Sequence, residues 1–189
     1  MRITGGQARG IPLNLPKGDA VRPATDALRQ SVFSSIAAYV PGARFLDLFA
    51  GSGAYGLEAF SRGAEAGIFV EKDAHTAAFI KQNIASVCKS LGKPQSLLRV
   101  VTADATSTMP GDPPDLVFVD PPYEIIPEVA PKIFAKLAPL LTGKPDALLI
   151  FEMPGELDLA SPGWIAVKRL GKGGRQPTAV IFRPSPASP

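Results

Sequence analysis

The chain has 189 residues, 20 Lys+Arg against 17 Asp+Glu, a net charge of +3 and a 46% hydrophobic fraction. That composition excludes a disordered or low-complexity chain, and the length favours one domain with its own core. A single cysteine (Cys88) excludes an intrachain disulfide, and with one histidine (His75) it argues against a Cys/His zinc site, so no metal is expected.

Residues 1–21 alternate short apolar pieces with Gly and Pro, which predicts a hairpin or short extended arm. A helix is predicted over 24–40, where Leu28, Val32 and Ile36 recur every four residues, Thr25 or Asp26 can start it and Pro41-Gly42 ends it. From residue 44 the pattern becomes strand, turn, helix, repeated. Strands are predicted over Arg44 to Phe49, Ala66 to Val70, Leu97 to Val101, Asp115 to Val119 and Ala147 to Met153. Helices are predicted around Leu57 to Arg62, over Ala74 to Val87 and over Glu128 to Leu141. Apolar runs of about five residues alternating with helices predict an α/β fold whose mostly parallel sheet is buried on both faces. After residue 160, Trp164 to Leu170 and Thr178 to Phe182 read as an antiparallel hairpin that closes the sheet. The organisation expected is an arm and helix over 1–42, a core over 43–183 and a disordered tail over 184–189.

Charge is unevenly spread. Residues 1–30 carry net +3, residues 165–189 net +5 and the middle net −5. Basic ends on an acidic body suggest a polyanion met by the ends, although ordinary solvated loops also carry such charge. The longest apolar stretches fall far short of the roughly 20 residues that cross a bilayer. The start MRITGGQARG lacks the apolar stretch of a secretory leader. No membrane partner and a cytoplasmic location are expected, with a monomer as the default.

Two motifs carry chemistry. The segment Asp47-Leu48-Phe49-Ala50-Gly51-Ser52-Gly53-Ala54-Tyr55-Gly56 follows a predicted strand and opens a helix, with Glu71 twenty residues after Gly51. Its literal G-x-G-x-x-G also fits a dinucleotide fingerprint. Glycine lets the backbone approach a ligand, and Glu71 can accept hydrogen bonds from both ribose hydroxyls. A pyrophosphate prefers a helix N-terminus without a nearby carboxylate, whereas Asp47 suits the cationic amino-acid end of S-adenosylmethionine. The second motif is Asp120-Pro121-Pro122-Tyr123, directly after a strand. Two prolines remove two N–H groups and leave a rigid, acceptor-rich backbone. A carboxylate with such a carbonyl can accept both hydrogens of an exocyclic amine, and Tyr123 offers a flat surface to a base. Read blandly, the two motifs are a tight turn and a proline turn.

These motifs together resemble the S-adenosylmethionine-dependent amino-methyltransferases. The N-terminal segments Arg2-Ile-Thr-Gly-Gly-Gln-Ala-Arg9-Gly10 and Arg22-Pro-Ala-Thr-Asp-Ala-Leu-Arg29 resemble the RsmD-type small-subunit ribosomal RNA guanine-N2 methyltransferases. The resemblance runs from residue 2 to about 183; Gln30 and Lys172-Gly173-Gly174 depart from the family pattern. It implies a three-layer, Rossmann-like class I methyltransferase fold with a short N-terminal hairpin and helix extension. It implies S-adenosylmethionine as cofactor, S-adenosylhomocysteine as product, and the N2 of guanine 966 of 16S ribosomal RNA in assembled or nearly assembled 30S subunits as target. Asp104 matches the position that contacts adenine in such enzymes, and Phe49, Ala50, Lys72 and Ala105 complete the candidate cofactor set with Asp47, Gly51, Gly53 and Glu71. Asp120, Pro121, Pro122 and Tyr123 form the candidate catalytic set. Arg2, Arg9, Lys17, Arg22, Arg29, Lys172 and Arg175 are candidates to bind RNA, while Arg22 and Arg29 could instead pair with Asp26 or other carboxylates and pin the helix. The rivals are an adenine-N6 DNA methyltransferase, a nicotinamide oxidoreductase, which leaves Asp47 and Asp120-Pro-Pro-Tyr123 unexplained, and a non-catalytic ribosome assembly factor.

Overall fold

The computed structural model describes residues 1–15, 26–108, 111–141 and 143–185. Among the described residues, seven strands form one sheet: β1 (Arg44–Leu48), β2 (Ala66–Glu71), β3 (Leu98–Thr102), β4 (Leu116–Val119), β5 (Leu148–Pro154), β6 (Trp164–Gly171) and β7 (Pro177–Pro184). Their order is β3-β2-β1-β4-β5-β7-β6. Strands β1 to β5 run parallel, and β7 inserts antiparallel between β5 and β6. The parallel strands and the closing hairpin match the sequence pattern. The insertion of β7 between β5 and β6 is visible only in the structure.

The helices are α1 (Asp26–Ser35), α2 (Ala54–Ser61), α3 (Ala74–Leu91) and α4 (Ile126–Leu141). Alternation along β1, β4 and β5 sorts the core into two faces. Phe45, Phe118 and Ile150 pack in one cluster with residues of α1, α2, α3 and the arm. Leu46, Val117, Val119 and Phe151 pack in the other, against Ile126, Ile133, Phe134 and Leu137 of α4. The result is three layers.

Several boundaries differ from expectation. The helix predicted over 24–40 is α1 to Ser35 and then a 3₁₀ turn over Ala37–Tyr39, closed by Tyr39 N–H to Ile36 C=O at 2.8 Å. The 3₁₀ turn keeps Ile36 and Val40 buried, so the apolar pattern continues after the α-helix has ended. Helix α3 runs one turn beyond Val87 and stops at Gly92, whose φ of 63° is the left-handed cap glycine tolerates. Strand β7 extends through Pro184, paired with Trp164, and Ser185 N–H bonds Gly163 C=O, so order continues two residues into the expected tail. Proline is tolerated at this strand end because no ladder donor is needed there. Residues 186–189 lie outside the described set. The N-terminal arm folds back on itself as expected, with an antiparallel bridge from Arg2 to Pro12 and Ile3 N–H on Ile11 C=O at 2.9 Å.

Candidate active site

Strand order reverses between β1 and β4, and ligands of open α/β sheets bind at the carboxyl ends of strands at such a switch. Both chemical motifs lie there. After β1 the chain turns through Phe49 (φ 58°), Gly51 (φ 54°) and Gly53 (φ 77°) before α2 begins. Phe49 is the only non-glycine with positive φ among the described residues, a conformation that costs of order 1–3 kcal/mol. The loop is pinned by Ala50 N–H to Val70 C=O at 3.0 Å and by Gly51 N–H to Glu71 Oε2 at 3.0 Å. Glu71 Oε1 takes Asp73 N–H at 2.9 Å. Each carboxylate oxygen has a second lone pair, so Glu71 can hold the loop and still accept a ligand's hydroxyls.

Asp47 lies beneath this loop, 1% exposed, and accepts Gly56 N–H at 2.9 Å. Burial, reinforced by the Glu71 charge, pushes its carboxyl up to about 8 against the Gly56 bond. A carboxylate therefore already engages the first turn of α2, where a pyrophosphate would have to bind. Gly56 has a second role. A Cβ there would meet the rings of Phe69 and Phe45 at 2.4 and 2.5 Å, so its glycine permits close helix–sheet packing. Asp104, exposed after β3, accepts both Thr106 N–H (2.6 Å) and the Thr106 hydroxyl (2.5 Å). Those bonds, with help from the nearby Lys72 charge, hold it below the ordinary carboxylate range. Ala105 is buried behind it, and Lys72 is exposed.

Asp120 follows β4. Pro121 is buried, and Tyr123 opens a 3₁₀ turn that leads into α4. Val119 pairs with Phe151, so Asp120 and Glu152 occupy the next positions on neighbouring strands, on the sheet face covered by α2. Glu152 is 3% exposed and accepts the Tyr55 hydroxyl at 2.8 Å. Burial pushes Glu152 up to about 7, restrained by the Tyr55 bond, Arg29 and Tyr123. Half-buried Asp120 is pushed well above its usual range by desolvation, then by Glu152 and Asp47, with Arg29 opposing. Sequence reasoning missed Glu152 and Tyr55. The available signal was a lone acid inside the apolar run Leu148–Pro154.

The chain and its fold are similar to known proteins. A family model described as "Conserved hypothetical protein 95" matches residues 1–181. The chain belongs to this RsmD-type family. "Ribosomal RNA small subunit methyltransferase D" of Escherichia coli K12 is 39% identical over 125 residues, 65% of this chain. The match spans 60% of the E. coli protein, less than two thirds of its length. The Haemophilus influenzae protein of the same name is 29% identical over 175 residues, 92% of this chain and 89% of that protein. The solved structure of Escherichia coli yhhF superposes with a TM-score of 0.78 at 30% identity over 97% of each chain. The fold is Rossmann-like, as in the family's methyltransferase neighbours.

Within this RsmD-type chain, the expected RNA-binding residues do not form one group. Arg29 is fully buried and bonds Glu58 (3.3 Å), Asp26 (2.9 Å) and the Arg2 carbonyl (2.6 Å). It cannot reach phosphate, which corrects the RNA-binding expectation; it pins α1, α2 and the arm together, the alternative weighed for it. Arg2 is exposed, near Asp26 at 4.0 Å. Arg9 is exposed beyond the tip of the arm, where Gln7 N–H and Ala8 N–H bond Ser61. Ser61 ends α2, two turns and about 12 Å from the glycine loop. The base of the arm is closer: buried Asn83 ties Asn14 to the Ser52 carbonyl. Asn83 was also missed, although a polar residue on the apolar stripe of α3 was its sign. Lys172 and Arg175 are exposed in the β6–β7 turn. The register Pro154 to Pro177 puts that turn at the carboxyl end of β5, on the same edge as Asp120. Gln30, the departure in α1, is exposed. Lys17 and Arg22 lie outside the described residues. Among the described residues, no His, Cys, Asp or Glu group is placed to hold a metal, and no helix is long and apolar enough to cross a membrane.

Proposed function

We propose that this chain is an S-adenosylmethionine-dependent methyltransferase acting on the exocyclic N2 of a guanine in 16S ribosomal RNA, guanine 966, in assembled or nearly assembled small subunits. The observation that supports it most is the union, at the β1/β4 switch, of a pinned glycine loop with Asp120-Pro121-Pro122-Tyr123. The relatives' names carry the reaction and the substrate class. The donor set fits the cofactor: acceptors at the ends of β1, β2 and β3 (Asp47, Glu71, Asp104) suit an amino group, hydroxyls and an adenine amine. Phe49, Ala50, Gly51 and Gly53 would line its backbone side, with Lys72 and Ala105 beside the adenine end. When bound, S-adenosylmethionine supplies an activated methyl group and a positive charge beside the acids.

The chain's own groups do the rest. The guanine amine is a weak nucleophile, its lone pair delocalised into the ring. The Asp120 carboxylate and the Pro121 carbonyl accept its two hydrogens and favour a pyramidal nitrogen, which loses one proton to water once it carries the methyl group. Tyr123 lies against the base, a contact worth roughly 1–3 kcal/mol. Pro121 and Pro122 hold this geometry rigid, and alignment of reacting groups supplies up to about 7–11 kcal/mol. The target guanine must be unpaired or flipped out to reach the turn. Lys172 and Arg175 face RNA on the same edge, and Arg2 and Arg9 meet it further along the arm.

The test is transfer of labelled methyl to small subunits lacking the modification. Wild type is expected to label the RNA, and Asp120→Ala to lose about a hundred- to thousandfold in rate while still binding S-adenosylmethionine by calorimetry. Undiminished transfer by Asp120→Ala would sink the assignment.

A further inference from the structure

One buried side chain ties the glycine-loop helix to β5, beside the base-facing turn. Tyr55, two residues after Gly53, stacks on Phe118 with ring centroids 5.3 Å apart and planes 19° from parallel. Its hydroxyl donates to Glu152 Oε2 at 2.8 Å. The Tyr123 side chain, in the turn after β4, favours the ionised form of Glu152. Asp120 occupies the adjacent register position. One carboxylate, 3% exposed, thus ties α2 to β5 beside the turn after β4.

We propose that Glu152 is a positioning residue for methyl transfer: through the Tyr55 hydroxyl it locks the helix that follows the glycine loop to the end of β5, beside the turn that receives the base. The role rests on the methyl-transfer reading. The groups that act on Glu152 are Tyr55 from α2, Tyr123 from the turn before α4, Asp120 from the end of β4 and Arg29 from α1, with Asp47 acting through Asp120. A neutral residue at 152 removes a like charge beside Asp120, so Asp120 should ionise at lower pH.

Glu152→Gln preserves shape and an oxygen for Tyr55. Two measurements on the full chain separate the possibilities. Infrared titration of the protonated-carboxyl C=O stretch, made without cofactor or RNA, is expected to show the Asp120 band in Glu152→Gln titrating about one pH unit or more below wild type. In methyl transfer, the acid limb of kcat/KM should move in the same direction and kcat should fall roughly tenfold, with KM for S-adenosylmethionine unchanged. Tyr55→Phe keeps the ring on Phe118, loses only the hydroxyl, and is expected to lower kcat by about three- to tenfold with the same KM. It serves if Glu152→Gln does not fold. Wild-type kcat and pH profiles in both variants would overturn the role. A wild-type chain that transfers no methyl to subunits overturns the functional reading, and the role with it, whatever the infrared titration shows.

Discussion

Two buried glutamates lie on the same side of the sheet and are treated in opposite ways. Glu58, in the middle of α2, is surrounded by donors: Arg29 at 3.3 Å, Arg62 at 2.9 Å, Thr4 N–H at 2.8 Å and the Thr4 hydroxyl at 2.8 Å. Glu152, at the carboxyl edge of β5, is held by the Tyr55 hydroxyl and faces Asp120 and, beyond it, Asp47. The first acid is neutralised where it stands and joins the arm to α1 and α2. The second belongs to a group of acids crowded together and raised, an arrangement that folding alone would not favour and that marks functional sites. The fold secures itself at the middle of α2 and holds charge in tension near its N-terminus.

The largest way to break this contrast is at the paired acid. Glu58→Ala leaves Arg29 buried with one fewer carboxylate, and should lower stability by about 3–5 kcal/mol, measured by urea unfolding. The tension should appear as pH dependence. Asp47 is raised to about 8 in the folded chain from 3.8, so the folded state binds the extra proton between those values. Its contribution to stability therefore falls as pH rises through that window. Asp47→Asn should flatten the decline and stabilise the cofactor-free chain at pH 8 by at least about 1 kcal/mol, while weakening S-adenosylmethionine binding. Thermal melts at two pH values, with calorimetry, check both halves. An unchanged pH dependence would place Asp47 outside the strained group. The smallest effect concerns the edge: Lys172→Ala with Arg175→Ala should reduce the slope of log affinity for RNA against log salt by roughly 1–2, without altering stability.

Much of this was legible in the sequence wherever the chemistry is contiguous. The glycine loop, Glu71 at the next strand end and Asp120-Pro-Pro-Tyr123 each declare themselves within a few residues, because a turn, a strand end and a rigid acceptor are local matters. The left-handed backbone at Phe49 left no sign, since nothing about phenylalanine requests it. Arg29 looked like an RNA contact because its burial depends on Glu58, 29 residues away. Tyr55 and Glu152 are 97 residues apart, and only the pairing of β4 with β5 beneath α2 brings them together. What the sequence withheld is the set of long-range polar contacts, whose partners the fold chooses.

The role proposed for the acids at the β1/β4 switch is methyl transfer to a guanine amine in ribosomal RNA. Its most direct test is nucleoside mapping of 16S RNA from small subunits lacking the modification, after incubation with this chain and labelled S-adenosylmethionine. Label is expected in a single N2-methylguanosine at guanine 966. Label in N6-methyladenosine, or no label in the RNA, would contradict it.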